Sequence, residues 1–432
     1  MEERDYSVYR SSRVFFIIQS ALEYFVTLCV TTTILTALLN EMDVSTSMQG
    51  IISAIASLAC SMQFVSVFAV RKTYPCKRWV VILNLLNQLL FAALFCIPML
   101  GFEKEIKITA FVVILIIAYC CHHFITPSKT NWHMSLIENN KRGVFCANRE
   151  IVSLVSGMLF SQASGILIDY YKAKGDMKTC FIIFCITVIV LAILHFAIIL
   201  MIKEPKPIAE VPTKKFKDIL KTVFGTPEMR RVIVLDALYS ISTVPLFFYS
   251  VYLTKTFELT YAYITFVSIL HAGFRAFVSR FLGKLADKRS WAYMLRICFT
   301  VLAAGFLIFA VSSHKSVMYL YVVFSLCYAF ALGGINSSRI NLCLDYIDNK
   351  DESRYVLGVK DAICGIIGFL STLAASALVS YIESNGNVFI GLKVYPQQVL
   401  FVLGAIILIF IAVFFLPKLK SPKRLSETAQ TE

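Results

Sequence analysis

The 432-residue sequence predicts an all-α membrane protein, with twelve transmembrane helices arranged as two parallel-repeat bundles of six. Three observations carry that prediction: twelve long apolar runs, basic residues crowded into alternate breaks between them, and a weak internal repeat. Composition agrees. The chain is 58% hydrophobic and only 16% charged, whereas a soluble domain has about a quarter of its residues charged. The formal charge of +14 does not point to nucleic acid, because the basic residues sit in short breaks rather than on one soluble face.

A hydrocarbon core about 30 Å thick needs roughly 20 apolar residues in a helix. Such runs fall at 14–39, 47–70, 79–100, 108–136, 150–168, 179–202, 231–254, 261–282, 291–312, 317–344, 360–383 and 397–416. They are continuous and too long for barrel strands, and helices satisfy their own backbone in lipid. The polar start, 1–13, is followed by a run too long for a signal-peptide core. With both ends placed in the cytoplasm, the segments on that side carry 30 of the 41 Lys and Arg; the opposite loops carry 8, and Lys129, Arg275 and Arg339 lie inside spans. That is a strong positive-inside bias. Thirteen cysteines lie mostly within spans, and no pair sits in the outer loops, so no disulfide framework is expected.

The longest break, 203–230, divides the chain into an N-terminal bundle (1–202) and a C-terminal bundle (231–416), with a cytoplasmic tail at 417–432. Lys-Glu-Pro-Lys-Pro opens the break as a helix stop. Phe216, Ile219, Leu220, Val223 and Phe224 then share a helical face ringed by Lys214, Lys215, Lys217 and Lys221, predicting a basic helix on the inner membrane surface. The repeat crosses this break. Ser128-Lys129-Thr130-Asn131 matches Ser338-Arg339-Ile340-Asn341 at an offset of 210, and Ile137-Glu138-Asn139 matches Ile347-Asp348-Asn349. One residue further out of register, Arg149-Glu150 matches Lys360-Asp361 and Gly157 matches Gly368. Two halves of equal orientation form the parallel repeat of one transporter architecture.

Gly283-Lys284-Leu285-Ala286-Asp287-Lys288-Arg289, between spans 8 and 9, resembles the signature loop of the major facilitator superfamily. The corresponding first-half segment, Ser66 to Lys72, lacks both the glycine and the acid. Pro127, Trp132, Arg142-Gly143, Phe145 and Arg149 are similar in layout to a bacterial branch of that superfamily. The resemblance implies the twelve-helix fold, a central cavity lined by spans 1, 4, 7 and 10 with help from 2, 5, 8 and 11, and ion pairs that hold the inner side closed. It names no substrate.

Ionisable groups inside spans are costly and are functional candidates by default. Glu23 falls near mid-bilayer on span 1; His271 and Arg275 stand one turn apart on span 8; Lys129, Arg339 and Asp236 lie toward the inner ends of spans 4, 10 and 7. A carboxylate in low dielectric prefers to be neutral unless a cation holds it ionised. Glu23 is therefore a protonation site with Arg275 or Lys129 as its alternating partner, or else half of a permanent ion pair that fixes packing. Lys129 and Asp236 have the plainer option of snorkelling to the inner interface. Arg142, Arg149, Glu150, Gly283, Asp287, Lys288, Arg289, Lys360 and Asp361 form a candidate cytoplasmic gate, with Glu150 and Asp361 placed at helix N-termini; ordinary solvated charge is the alternative.

Gln19, Trp132, Gln162, Tyr239, Tyr249 and Asn336 are candidate polar lining, although Tyr and Trp also anchor membrane interfaces. Asn84, Asn87 and Gln88 read as interhelical hydrogen-bonding residues. His122, His123 and His133 fit no usual metal spacing. No Walker loop, nucleophile elbow or HExxH occurs, so neither an ATP-driven pump nor an enzyme is expected, and no cofactor. The expected function is secondary active transport of a small polar or anionic solute by alternating access, coupled to protons, by a monomer in the cell membrane. Efflux of amphipathic compounds is the main competitor, and a non-transporting solute sensor is the alternative of another class.

Overall fold

The computed structural model describes residues 6–70, 74–138, 141–206, 216–347 and 353–419. Arg71 and Lys72 of the degenerate loop, Lys214 and Lys215 of the linker, Asp348 and Asn349 of the repeat, and the tail from 420 lie outside the described residues. Within them the chain is almost wholly helical. In order come α1 (Arg10–Cys29) and α2 (Thr32–Glu41), α3 (Thr46–Ala59) and α4 (Ser61–Ala69), α5 (Lys77–Leu94), α6 (Lys104–Met134), α7 (Arg142–Ala173), α8 (Met177–Met201), α9 (Phe216–Gly225), α10 (Pro227–Ser242), α11 (Tyr249–Val251), α12 (Tyr261–Lys288), α13 (Trp291–Ala310), α14 (Val317–Asp345), α15 (Ser353–Ser384) and α16 (Pro396–Phe410). A two-residue hairpin, β1 (Val388–Phe389) with β2 (Leu392–Lys393), joins α15 to α16.

Among the described residues, eleven helical segments are long and apolar enough to cross a membrane. The twelfth predicted span, 231–254, is interrupted. Its helix α10 stops at Ser242 and gives way to a 3-10 turn containing Pro245, then α11, then a π turn over Tyr252–Thr256. Pro245 supplies no N–H, and its ring crowds the preceding turn. Start signals are local: the side chains of Ser45, Asp176, Thr226 and Ser290 accept from the backbone N–H three residues on, opening α3, α8, α10 and α13.

α7, α12 and α15 overrun their predicted edges, and the overruns of α7 and α15 correct the placement of Glu150 and Asp361 at helix N-termini. α12 continues through Gly283 to Lys288, so the signature segment is its last turns rather than a loop. α7 begins at Arg142 and α15 at Ser353. Glu150 and Asp361 therefore lie about two turns inside their helices, out of reach of the terminal dipole on which their placement was argued.

Packing divides the chain into two units. The first comprises Met1–Val44, Met62–Thr213 and Thr260–Thr265; the second comprises Ser45–Ser61, Lys214–Leu259 and Phe266–Glu432. The second unit thus contains α3, although α3 belongs by sequence to the first repeat. There Gly50 sits against the Phe248 ring and Gly365 of α15 sits against the Ser57 carbonyl. The first unit holds the beginning of α12, whose Tyr261 and Ala262 amides donate to the Asp169 carboxylate at 2.9 and 2.7 Å.

In the first unit Phe16, Val80, Ile125, Trp132, Leu136 and Ile199 form a buried cluster. Beside it the Glu204 carboxylate accepts from the Cys76 and Lys77 amides that open α5, at 2.6 and 3.2 Å. Lys77 Nζ in turn donates to the Leu200 and Ile202 carbonyls that close α8, at 2.7 and 2.8 Å. In the second unit the core is aromatic. Phe309 stacks on Phe324 at 4.7 Å and meets Phe401 edge-on at 5.0 Å, geometry that aromatic quadrupoles favour. The linker helix α9 is present, but Ile219 and Val223 are buried in this unit, where α9 packs on α10 and α15. Ile219 and Val223 of its apolar stripe are therefore used against protein, Leu220 is half-buried and Phe224 is exposed; the Phe216 side chain lies outside the described residues.

Candidate functional site

Among the described residues, each unit holds an acid-centred cluster inside its helices. In the first, Glu23 on α1 pairs with Lys129 on α6, whose ammonium donates to Oε1. His122 Nδ1 lies 3.7 Å from the same oxygen. The other oxygen accepts from Gln19 Nε2 at 2.8 Å, and that nitrogen also lies 2.7 Å from His195 Nε2 on α8. His133 packs on Phe16, with ring centroids 4.2 Å apart, and Arg149 stands over the Phe16 ring at 5.4 Å.

In the second unit Asp236 on α10 is fully buried and held by two cations. Arg339 Nε donates to Oδ1 at 2.6 Å and Lys360 Nζ to Oδ2 at 2.6 Å. The Arg339 guanidinium stands 4.6 Å over the Tyr239 ring, which stacks on Phe299. Two cations share this one buried carboxylate; the next carboxylate, that of Asp361, is half-exposed and 3.5 Å from the Lys360 ammonium. Arg275, in the same unit, has no carboxylate partner among the described residues.

Lys129 and Arg339 are the repeat-related cations, and each pairs with the acid on the first helix of its own half. The acids stand three residues out of that register, so sequence comparison did not align them. Neither Lys129 nor Asp236 snorkels: Lys129 is 8% exposed and Asp236 is 0%. Of the two partners expected for Glu23, the structure provides Lys129. Lys360, expected at a solvated gate, is 2% exposed and bound to Asp236; Asp361 lies outside, 3.5 Å from the same ammonium.

The remaining expected residues separate. Gln19 is buried and bonded to Glu23. Trp132 is buried and donates its indole N–H to the Lys203 carbonyl at 3.0 Å, so it fastens α6 to the segment after α8 rather than lining a polar surface. Gln162 is also engaged: its amide donates to the Ala262 carbonyl and accepts from Thr265. Tyr249 meets Phe324 edge-on, and His271 Nδ1 lies 3.0 Å from the Ser325 carbonyl. Asn336 is exposed, as are Glu150, Lys288 and Arg289; Arg289 stands over Tyr293, and Gly283 has open space around it. The side chains of Arg142 and Asp287 lie outside the described residues. Asn87 donates to the Ala118 carbonyl at 2.8 Å, the helix-to-helix bond expected of it. Sequence reasoning missed His195, Lys360 as a ligand of Asp236, and Asp169. Only their being polar inside or beside an apolar run marked them.

A bundle of membrane-crossing helices, with one buried acid–base cluster per sequence repeat, defines a duplicated helical carrier. The family model for the Major Facilitator Superfamily matches residues 15–372, and the chain belongs to that superfamily. It is a multi-pass membrane transporter of small solutes, not an enzyme. None of the curated protein sequences matches it. Among solved structures it is similar to the nucleoside transporter NupG, with a TM-score of 0.71 at 12% identity, covering 95% of this chain and 100% of that one. It is also similar to a D-xylose-proton symporter (0.64, 13%, 95% and 98%). A bacterial homolog of the human lysosomal transporter Spinster, inward-facing and unoccupied, gives 0.62 at 13%, covering 96% and 97%. At these identities the likeness concerns the fold.

Proposed function

We propose that the protein carries a small organic anion across the cell membrane by alternating access, as a monomer with both termini cytoplasmic, and that proton binding at Glu23 drives the cycle. The observation that carries this reading is the buried pair of cations in the second unit, Arg339 and Lys360, against the one buried carboxylate of Asp236; the second carboxylate near Lys360, Asp361 at 3.5 Å, is half-exposed. Buried charge of one sign attracts the opposite sign strongly in low dielectric. Arg275 adds a cation with no carboxylate partner among the described residues.

The first unit supplies the proton chemistry. Glu23 pairs with Lys129 and is bordered by His122 and His195. A helix movement or a bound anion that draws Lys129 away leaves a buried carboxylate, which then favours its neutral form. Proton uptake and release thereby follow the solute. Glu150 of the first unit, and Lys288 and Asp361 of the second, are exposed charges.

The test is a stability screen of the purified protein, followed by uptake into proteoliposomes under an imposed pH gradient. Carboxylates or phosphate esters are expected to raise the unfolding temperature by mass action, and the same compounds to accumulate against a gradient. Glu23→Gln is expected to abolish gradient-driven accumulation while leaving solute exchange intact. Stabilisation only by neutral nucleosides, sugars or lipophilic cations would sink the anion reading. Unchanged accumulation in Glu23→Gln would sink the proton coupling.

A further inference from the structure

We propose that Gln19 ties the protonation of Glu23 to that of His195, so that the two groups change state together. The consequence for transport rests on the proton coupling proposed above; the linkage itself rests on the geometry of one atom. Gln19 Nε2 lies 2.8 Å from Glu23 Oε2 and 2.7 Å from His195 Nε2. Gln19 and His195 are each 1% exposed, so bulk water does not stand in for either of them, while the Glu23 side chain is 19% exposed.

An amide group is placed by its hydrogen bonds, because its nitrogen and oxygen have nearly the same shape. With the NH2 in the shared position, both neighbours accept. Glu23 is then ionised, and His195 carries its hydrogen on Nδ1. With the carbonyl in that position, both neighbours donate. Glu23 is then a neutral acid with its hydrogen on Oε2, and His195 carries a hydrogen on Nε2. A mixed state sets donor against donor or acceptor against acceptor in a buried site. Gln19 Oε1 has no hydrogen-bond partner, so a half-turn of the amide breaks no bond on its far side.

The surroundings direct the proton to the oxygen that Gln19 reads. Oε1 of Glu23 already faces the Lys129 ammonium, with His122 Nδ1 at 3.7 Å, which leaves Oε2 to be protonated. The other charged or titratable groups close by are His133 on α6 and Arg149 on α7, both against Phe16. Neither is hydrogen-bonded to Gln19. Gln19 is thus a positioning residue that transmits a state, and His195 is a second member of the proton-binding unit. The hydrogen arrives at His195 Nε2 by tautomer exchange or by uptake of a second proton, and both change the nitrogen signature of the ring.

The experiment uses the full chain in lipid nanodiscs, with ¹⁵N-labelled histidine followed by magnetic resonance and the protonated-carboxyl band followed by infrared spectroscopy across a pH series. Signals are assigned by their loss in His195→Gln and Glu23→Gln. The expected result is one shared midpoint in the wild-type protein, and midpoints separated by about one pH unit or more in Gln19→Leu. A Glu23 band that titrates while the His195 signal stays still overturns the linkage, as does a shared midpoint that survives in Gln19→Leu. Should Gln19→Leu not fold, His195→Gln decides: a Glu23 midpoint equal to wild type overturns the proposal, and a displaced one supports it. Loss of proton-driven uptake is read separately in Glu23→Gln. The transport reading can therefore fail while the shared midpoint stands, and the reverse.

Discussion

Asp236 shows how much a single buried charge depends on its partners. It is fully buried with one cation on each oxygen. Removing one member of a buried ion pair costs about 3–5 kcal/mol, because the other is stranded. Asp236→Ala strands Arg339 and leaves Lys360 with only the half-exposed Asp361 at 3.5 Å, whereas Lys360→Ala leaves Arg339 on Oδ1. Thermal unfolding in detergent is therefore expected to fall by several degrees for Asp236→Ala and by clearly less for Lys360→Ala; equal losses would refute this division of roles. At Cys76, burial together with the neighbouring Glu204 carboxylate pushes the thiol up from its ordinary range. A thiol raised in this way stays protonated at neutral pH, and the thiolate is the nucleophile. Cys76 is expected to resist alkylation at pH 7 in the folded protein and to react once the chain is unfolded, as read by mass spectrometry. At this scale the sequence located the charges but did not pair them all. Counting residues from the span edge put Glu23 near mid-bilayer and Lys129 toward the inner end of span 4, and left Lys129 as one of two possible partners. It left open which way each helix faces, and so Lys360 and Asp361 were grouped together. Neighbours on a helix point about 100° apart, and burial of the first turns the second outward.

Among the elements, the helices were legible almost throughout, because twenty apolar residues in a row have one solution in lipid. Their ends were less so. α7, α12 and α15 run past their apolar stretches, since Arg, Lys and Glu are good helix formers and nothing breaks them. The segment around Pro245 shows the opposite case, an apolar run that the backbone cannot keep helical. The packing of α3 on α15 rests on small residues. A Cβ at Gly365 would collide with the Ser57 carbonyl, which belongs to the backbone and cannot turn aside. Gly365→Ala is therefore expected to lose about 1–3 kcal/mol by overpacking. Gly358→Ala, on the same helix with open space around it, is expected to gain up to about 1 kcal/mol from helix propensity. Unfolding midpoints of the two variants, measured side by side, check the sign of each.

For the molecule as a whole, the positive-inside bias makes a topological prediction. With native exposed cysteines replaced, Lys221→Cys on α9 is expected to react with a membrane-impermeant maleimide only in inside-out vesicles. Lys393→Cys on the hairpin is expected to react only in intact cells. The reverse pattern would invert the orientation of the chain. The twelve apolar runs and the alternation of charge were determined by sequence alone, because the cost of exposing polar backbone or burying a lone charge in lipid is local and can be read residue by residue. Which charges meet, that α3 joins the second unit, and that Gln19 bridges Glu23 to His195 were decided only by tertiary structure. Those outcomes depend on how each helix is turned about its own axis, a choice settled by side chains from distant parts of the chain packing together.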